Sequence, residues 1–189
     1  MNSSRVKLQH RPFLTPIWLT AGAAVAAFVY FLFVMWEWGT AGSTTVIVIR
    51  HAEKDSADQA DPKLSAAGSE RAQRLARMFG AVDGPGRLDA IYVSNTLRSK
   101  LTAEPLAERL HVPLEIAAGN DAKALAHRAL REHGGGRVLI VAHLDTLPAI
   151  VASLSGIDDI PQLEADDYGI IYVVTVPRIG HANLLRLSY

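Results

Sequence analysis

The chain contains no cysteine, and this absence excludes disulfide bridges, thiolate metal sites and a cysteine nucleophile. Aromatic residues make up only 7% of the sequence, and 19 lysine and arginine residues are balanced by 19 aspartate and glutamate residues. The sequence has neither a basic stripe nor an aromatic platform, so nucleic acid is not expected as a partner.

Charge is also missing from one long stretch of the chain, residues 12–36. This stretch supplies an apolar run of about 20 residues, the length of one helical membrane crossing. We therefore expect a basic N-terminal tail over 1–12, a transmembrane signal-anchor helix over 13–38 and a separate domain over 41–189. The length of the run favours an uncleaved anchor over a cleaved signal peptide, for which residues 40–43 would offer the cleavage site.

The basic residues that precede the apolar run set its expected orientation. They are Arg5, Lys7 and Arg11, and no acidic residue accompanies them. Positively charged side chains tend to stay on the cytoplasmic side of a membrane. The sequence thus predicts a single-pass protein of the inner (cytoplasmic) membrane, with the domain over 41–189 in the periplasm or otherwise outside the cytoplasm.

The rest of the chain alternates between short apolar strands and amphipathic helices. Residues 44–49 form a β-branched apolar run that is typical of a strand buried on both faces. Further strands are predicted over 88–93, 112–116, 138–142, 170–176 and 182–187. Helices are predicted between them, up to the closing pair of strands. This pattern predicts an α/β fold with a mostly parallel sheet sandwiched by helices.

Three of the predicted strands lead into residues that suit phosphate. The first ends in Arg50 and His51, the second leads into Arg98, and the 138–142 strand ends at His143. Ligands of open α/β sheets bind beyond the carboxyl ends of the strands, so we expect these side chains around one crevice. A neutral imidazole can attack phosphorus, and arginine binds phosphate oxygens bidentately. The pattern therefore predicts phosphoryl transfer.

The same segments resemble the motifs of the histidine phosphatase (phosphoglycerate-mutase-like) superfamily. Residues 46–54 are similar to its Arg-His-Gly/Ala strand, and residues 64–68 to its Leu-Thr/Ser-x-x-Gly segment. Residues 94–103 resemble its Ser-x-x-x-Arg-x-x-x-Thr-Ala block, and residues 138–148 its Gly-His-Ser-Asn-Thr-x-Pro block. The resemblance implies a phosphoglycerate-mutase-like fold, a sheet that is parallel apart from an edge strand, and no metal or other cofactor.

The resemblance also implies a role for each of the four residues. His51 is the expected nucleophile, Arg50 and Arg98 the expected phosphate ligands, and His143 the residue that completes the pocket. The implied activity is a phosphatase that hydrolyses phosphomonoesters through a phosphohistidine intermediate on His51. A phosphoglycerate mutase is an alternative for which the chain is short. Two others are a catalytically silent phospho-ligand-binding module on the same scaffold and, for a cytoplasmic domain, a phosphohistidine protein phosphatase.

For an exported domain, we expect a small phosphorylated substrate such as an envelope sugar phosphate. This expectation rests on an analogy with the lipopolysaccharide core heptose phosphatases. They resemble this chain in an N-terminal export segment and in the Arg-His-Ala-Glu and Ser-Asn-Thr-x-Arg motifs.

The general acid that protonates the leaving group has several candidates. Asp145 follows His143 by two residues, where the family usually has Asn, and it is predicted either to donate this proton or to cap the next helix. Glu53 is a second candidate, although it could instead orient Arg50 or Lys54. The remaining candidates are Glu115, which is expected to face solvent, and Asp121, which is expected at a helix N-cap.

Two other groups of polar residues are predicted to lie outside the site. The histidines of the first group match no metal-binding spacing and are expected to be structural or at the surface: His10, His111, His127, His133 and His181. The second group is acidic and is expected to form a solvated loop: Glu164, Asp166 and Asp167.

Overall fold

The structure of the chain is a computed structural model that describes residues 17–40, 42–55, 60–81, 84, 86–117 and 121–189. The predicted basic tail over 1–12 lies outside the described residues, as do residues 13–16 of the predicted anchor. The chain divides into two compact units, Met1–Trp38 and Gly39–Tyr189.

The described part of the first unit lies in helix α1, Ile17–Thr40. Its large apolar side chains are mostly exposed, with Phe28 at 60% and Tyr30 at 69%. No helix in the described part of the chain combines the length and the apolar character that a membrane crossing requires. The membrane anchor therefore stays a prediction.

The second unit is an α/β domain. Its strands are β1 (Thr44–Arg50), β2 (Ala90–Val93), β3 (Leu114–Ile116), β4 (Arg137–Ala142), β5 (Ile170–Val176) and β6 (Asn183–Ser188). Its helices are α2 (Ala66–Phe79), α3 (Leu97–Leu110), α4 (Ala122–Glu132) and α5 (Leu147–Ser155). This alternation confirms the predicted α/β fold, in which helices connect the strands of one sheet.

The six-stranded sheet has the order β3-β2-β4-β1-β5-β6. β1 pairs in parallel with β4, and β2 pairs in parallel with β3 and β4. β5 runs antiparallel to β1, and β6 runs antiparallel to β5. The expectation that only an edge strand is reversed is therefore wrong. The reversed strand is β5, which lies second from the edge between β1 and β6. The short connection after β5 makes a hairpin, so the edge strand β6 runs in the same direction as β1.

Helices cover both faces of the sheet. On one face, Val46 and Val48 of β1 belong to a buried cluster that includes residues of α4 and α5. On the other face, Ile47 and Ile49 belong to a cluster that includes residues of α2 and α3. Because β1 is covered on both sides, its sequence is continuously apolar. After the two threonines at the start of β1, the first polar residue is Arg50, at the carboxyl edge of the sheet.

The Leu-Ser-x-x-Gly block connects α2 with the segment that follows β1. Ser65 caps α2 by accepting a hydrogen bond from the Gly68 N–H at 3.1 Å, and its own N–H donates to the Glu53 carbonyl at 2.9 Å. A Cβ atom at position 68 would clash with that same carbonyl oxygen, so glycine is required for this close approach. The start of α2 thereby holds the backbone that follows His51.

Candidate active site

His51, Arg98 and His143 meet beyond the carboxyl ends of the parallel strands. His51 follows β1, His143 follows β4, and Arg98 is the second residue of α3, which comes after β2. The two imidazole rings lie edge to face with their centroids 5.2 Å apart. The Arg98 Nε–H donates to His51 Nε2 at 3.3 Å. The structure thus brings together three of the four residues that the strand ends indicated.

The His51 ring has a defined tautomer. Its Nδ1 lies 2.8 Å from the Ala52 carbonyl oxygen, which can only accept a hydrogen bond, so Nδ1 carries the proton and Nε2 keeps its lone pair. Burial is the main cause that lowers the pKa of His51 to about 4; the charges of His143 and Arg98 add to this effect, and the Ala52 hydrogen bond opposes it. His51 is therefore neutral near pH 7, as a nucleophile must be.

Thr102 fixes the backbone beside His51. Its hydroxyl accepts a hydrogen bond from the Ala52 N–H at 2.9 Å and donates to the Arg98 carbonyl at 2.7 Å. The side chain is almost fully buried, at 1% exposure. The threonine of the Ser-x-x-x-Arg-x-x-x-Thr-Ala block therefore links the helix that carries Arg98 to the strand end that carries His51.

His143 lies against a group of hydroxyls. Its Nε2 is 2.9 Å from Ser94 Oγ, which is itself hydrogen-bonded to Ser99 Oγ at 2.8 Å and to Thr96 Oγ1 at 2.9 Å. Its Nδ1 is buried and has no hydrogen-bond partner among the described residues. The pKa of His143 is lowered, chiefly by burial. One ring nitrogen is thus held by Ser94, and the other is enclosed without a hydrogen-bond partner in the described part of the chain.

Arg50 turns toward the segment that precedes β5. Its guanidinium donates through one terminal nitrogen to the carbonyls of Glu164 at 3.2 Å and Ala165 at 2.9 Å. The Tyr168 ring centroid lies 4.0 Å from the guanidinium carbon. The side chains of Glu164 and Asp166 are exposed, as expected for an acidic loop. The sequence did not predict, however, that the backbone of this loop contacts Arg50.

An open cleft of about 690 Å³ lies in front of the two histidines. Its lining includes His51, Arg98, His143, Thr96, Gln162 and Asp145. Asp145 is the one carboxylate in this lining among the described residues, and it is exposed. The alternative role for Asp145 as the N-cap of α5 is wrong, because Thr146 occupies that position; the Thr146 side chain makes no capping hydrogen bond.

The other candidate acids are engaged elsewhere. Glu53 accepts hydrogen bonds from Arg71 at distances down to 2.5 Å, and these bonds lower its pKa. Glu115 does not simply face solvent, because it pairs with Arg128 at 2.9 Å. Asp121 caps α4, as predicted. None of these three residues belongs to the described lining of the cleft that contains His51.

One group of possible metal ligands occurs in the described part of the chain: Glu115, Glu132 and His133. Arg128 donates to both carboxylates at 2.9 Å, so a cation would have to displace an existing guanidinium partner. None of the three lines the described part of the cleft. This group is therefore a surface ion-pair network.

Several residues of the site, among them Ser94, Asp61 and Tyr168, had no role assigned from the sequence. Ser94 belongs to a recognised motif, but its contact with His143 depends on how β2 and β4 pair. Asp61 accepts from the Leu97 N–H with both oxygens, at 3.0 and 3.1 Å, and lies 3.9 Å from the Arg98 guanidinium. Tyr168, like Asp61, lies in a loop without periodicity, so no local pattern marks it.

Comparison with known proteins finds similarities to histidine phosphatases. Residues 46–121 match the profile of the histidine phosphatase superfamily (branch 1). The sequence has no match among curated proteins. Among solved structures, the protein histidine phosphatase SixA complexed with tungstate is 22% identical with a TM-score of 0.62, over 76% of this chain and 96% of that one. A mycobacterial glucosyl-3-phosphoglycerate phosphatase is 17% identical with a TM-score of 0.58, over 75% and 97%.

A phosphoserine phosphatase from Entamoeba histolytica shows a similar likeness, with 17% identity, a TM-score of 0.58 and coverage of 77% of this chain and 97% of that one. At these identities the solved structures establish the fold. The matched profile contains Arg50, His51 and Arg98. Fold and profile together support the histidine phosphatase superfamily for this chain, and with it the enzyme class of a phosphoric monoester hydrolase.

Replacement of Arg98 by lysine tests the role of its guanidinium. Arg98→Lys keeps one positive charge but loses the planar fork that can bind two phosphate oxygens. We expect kcat/KM for p-nitrophenyl phosphate to fall by about 10–10²-fold, the usual worth of a hydrogen bond to a charged group. Arg131→Lys is the matched control, because Arg131 is 72% exposed. Equal activity of the two variants would contradict a role for Arg98 in phosphate binding.

Proposed function

We propose that this chain hydrolyses phosphomonoesters in two steps, with His51 as the phosphoryl acceptor. The unprotonated Nε2 of His51, which lies within 3.3 Å of the Arg98 Nε, is the observation that carries the proposal. In the first step Nε2 attacks phosphorus and the bond to the leaving oxygen breaks. In the second step water attacks the phosphohistidine, which releases inorganic phosphate and restores the neutral imidazole.

The charged and polar groups around His51 have separate roles in this scheme. Arg98 exchanges its hydrogen bond to Nε2 for bonds to the phosphoryl oxygens, so the lone pair becomes free when substrate binds. His143 lines the cleft beside the transferring group, and Arg50 adds positive charge nearby. Electrostatic stabilisation of this kind accounts for most of the catalysis of phosphoryl transfer. Asp145 is the proposed donor of a proton to the leaving oxygen.

A protein phosphohistidine phosphatase is the second candidate. The open cleft and the single exposed carboxylate in its described lining favour a substrate whose leaving group needs little protonation. Phosphohistidine is such a substrate, and the SixA structure is named for this activity. The two candidates share His51, Arg98 and His143 and differ in the dependence on Asp145.

Hydrolysis of p-nitrophenyl phosphate by the purified full chain tests the proposal. We expect turnover that persists in excess EDTA, because the proposed steps use side chains alone. A chain that binds tungstate but shows no hydrolysis would instead be the silent phospho-ligand-binding module. A panel of phosphorylated sugars and phosphohistidine-containing proteins then identifies the substrate class, and an envelope sugar phosphate is the substrate that an exported domain would favour.

Membrane anchoring by residues 13–38 forms a second part of the proposal. The described side chains of α1 begin at Thr20 and end at Trp36, and the sequence extends the uncharged stretch back to Pro12. Many large apolar side chains of this helix are exposed, with Val25 at 64% and Phe31 at 57%. Extended exposure of this kind is typical of surfaces that meet a membrane or a partner.

The orientation of the anchor gives a direct prediction. The basic residues before the apolar stretch should keep the N-terminus in the cytoplasm, which leaves residues 41–189 outside it. An alkaline phosphatase fused to the C-terminus should therefore be active, and a green fluorescent protein fused there should be dark. The reverse pattern would refute export. A mature N-terminus near Gly42 would show cleavage instead of anchoring.

A further inference from the structure

Arg50 is a buried cation that the described part of the chain compensates with neutral groups. Its side chain is only 6% exposed. Burial of a charge is costly unless polar partners replace water. Within the described residues, the partners of its guanidinium are two backbone carbonyls and the face of one aromatic ring.

All three partners come from one turn, residues 164–168. Glu164 and Ala165 supply the carbonyls, and Tyr168 supplies the ring. The turn is closed by its own hydrogen bonds: the Asp167 N–H donates to the Glu164 carbonyl at 3.1 Å, and the Glu164 N–H donates to the Asp167 carboxylate at 2.9 Å. A turn tied in this way can hold a side chain in one position.

We propose that Tyr168 is a positioning residue that holds Arg50 beside His51 with its positive charge undiminished. This inference rests on the proposed function. A carboxylate partner would also hold a guanidinium, but its charge would cancel that of the arginine and repel a phosphate dianion. Carbonyl dipoles and an aromatic face attract the cation without net charge. Arg50 therefore remains an electrophilic group for the phosphoryl oxygens.

Two further observations agree with this role. The Arg50 Nε is buried and has no hydrogen-bond partner among the described residues, so no described acceptor competes with the turn for the guanidinium. The Tyr168 ring centroid is 6.1 Å from that of His51, so the ring borders the nucleophile as well as the guanidinium. Arg98 is held differently, because the exposed carboxylate of Asp61 lies 3.9 Å from it.

Binding of tungstate, an oxyanion analogue of phosphate, to the full-length chain tests the proposal. Tyr168→Leu should weaken tungstate binding by about 10-fold, the worth of a desolvated cation–π contact. Tyr168→Phe keeps the ring and should bind tungstate as the wild type does. Tyr189→Leu is the matched control, because it removes a ring from another arginine, Arg71, at 5.5 Å. Tyr168→Met replaces the leucine variant if that variant does not fold.

The dependence on Arg50 separates positioning from a general structural effect. In an Arg50→Met background, Tyr168→Leu should change tungstate affinity by less than about 2-fold, since a residue that acts through Arg50 has nothing left to position. A full 10-fold loss in that background would overturn the proposal, as would wild-type affinity in Tyr168→Leu. Failure of the wild-type chain both to bind tungstate and to hydrolyse p-nitrophenyl phosphate would instead count against the proposed function.

Discussion

His51→Asn is expected to reduce turnover of p-nitrophenyl phosphate by about 10⁴–10⁶-fold, on the scale seen when an enzyme loses its nucleophile. Asparagine has no nucleophilic nitrogen, but its amide N–H can replace Nδ1 as the donor to the Ala52 carbonyl, which accepts at 2.8 Å. His51 is only 5% exposed, so alanine would leave a cavity and lose this hydrogen bond. The loss of activity should therefore occur without loss of the fold.

Thermal unfolding and an exposed-histidine control complete this test. His127 lies on the exposed face of α4, and His127→Asn should retain wild-type turnover. His51→Asn should unfold within a few degrees of the wild type, because its packing and its Ala52 contact are kept. If the variant kept turnover within about 10-fold of the wild type, His51 would not be the nucleophile.

Asp145→Asn is expected to slow cleavage of alkyl phosphates by about 10²–10⁴-fold, the usual worth of general acid catalysis. Asparagine has nearly the same shape but no acidic proton, so an alkoxide must leave unprotonated. The same variant should cleave p-nitrophenyl phosphate almost normally, because nitrophenolate needs little help to leave. Relative rates on the two substrates, measured for both enzymes, therefore report the proton donor.

Asp121→Asn is the control for this substitution. Asp121 is also an exposed aspartate at a helix start, but it caps α4 and is outside the described lining of the cleft with His51. Asparagine is as good an N-cap as aspartate, so both substrates should be unaffected. Equal, small losses in Asp145→Asn on both substrates would mean that Asp145 is not the proton donor. Phosphohistidine would then become the preferred substrate class, because Glu53 is committed to Arg71.

The sheet and its helices could be predicted because local patterns determine them. β1 and β4 are continuous apolar runs, and such runs mark strands that are buried on both faces. The position of β5 could not be predicted in this way. A hydrophobic pattern identifies a strand but does not say which neighbour it pairs with, and the antiparallel pairing of β5 with β1 depends on tertiary packing.

The residues of the site also divide into those that the sequence pattern predicts and those that depend on tertiary packing. His51, Arg98 and His143 lie at or just after strand ends, where topology alone predicts that they converge. Asp61 and Tyr168 reach the site through loops, and their contacts with Arg98 and Arg50 depend on tertiary packing. The identity of the general acid could not be predicted from the sequence either. The choice between Glu53 and Asp145 depended on which carboxylate had an arginine partner.

The central claim is that a phosphoryl group passes through His51, and trapping that intermediate tests it most directly. Wild-type enzyme mixed with radiolabelled substrate and quenched in base within milliseconds should carry label that is stable to base and released by acid. Peptide mapping should place this label on His51, and the Asp145→Asn variant should still form it from p-nitrophenyl phosphate. Label on any other residue, or label that survives acid, would contradict the account.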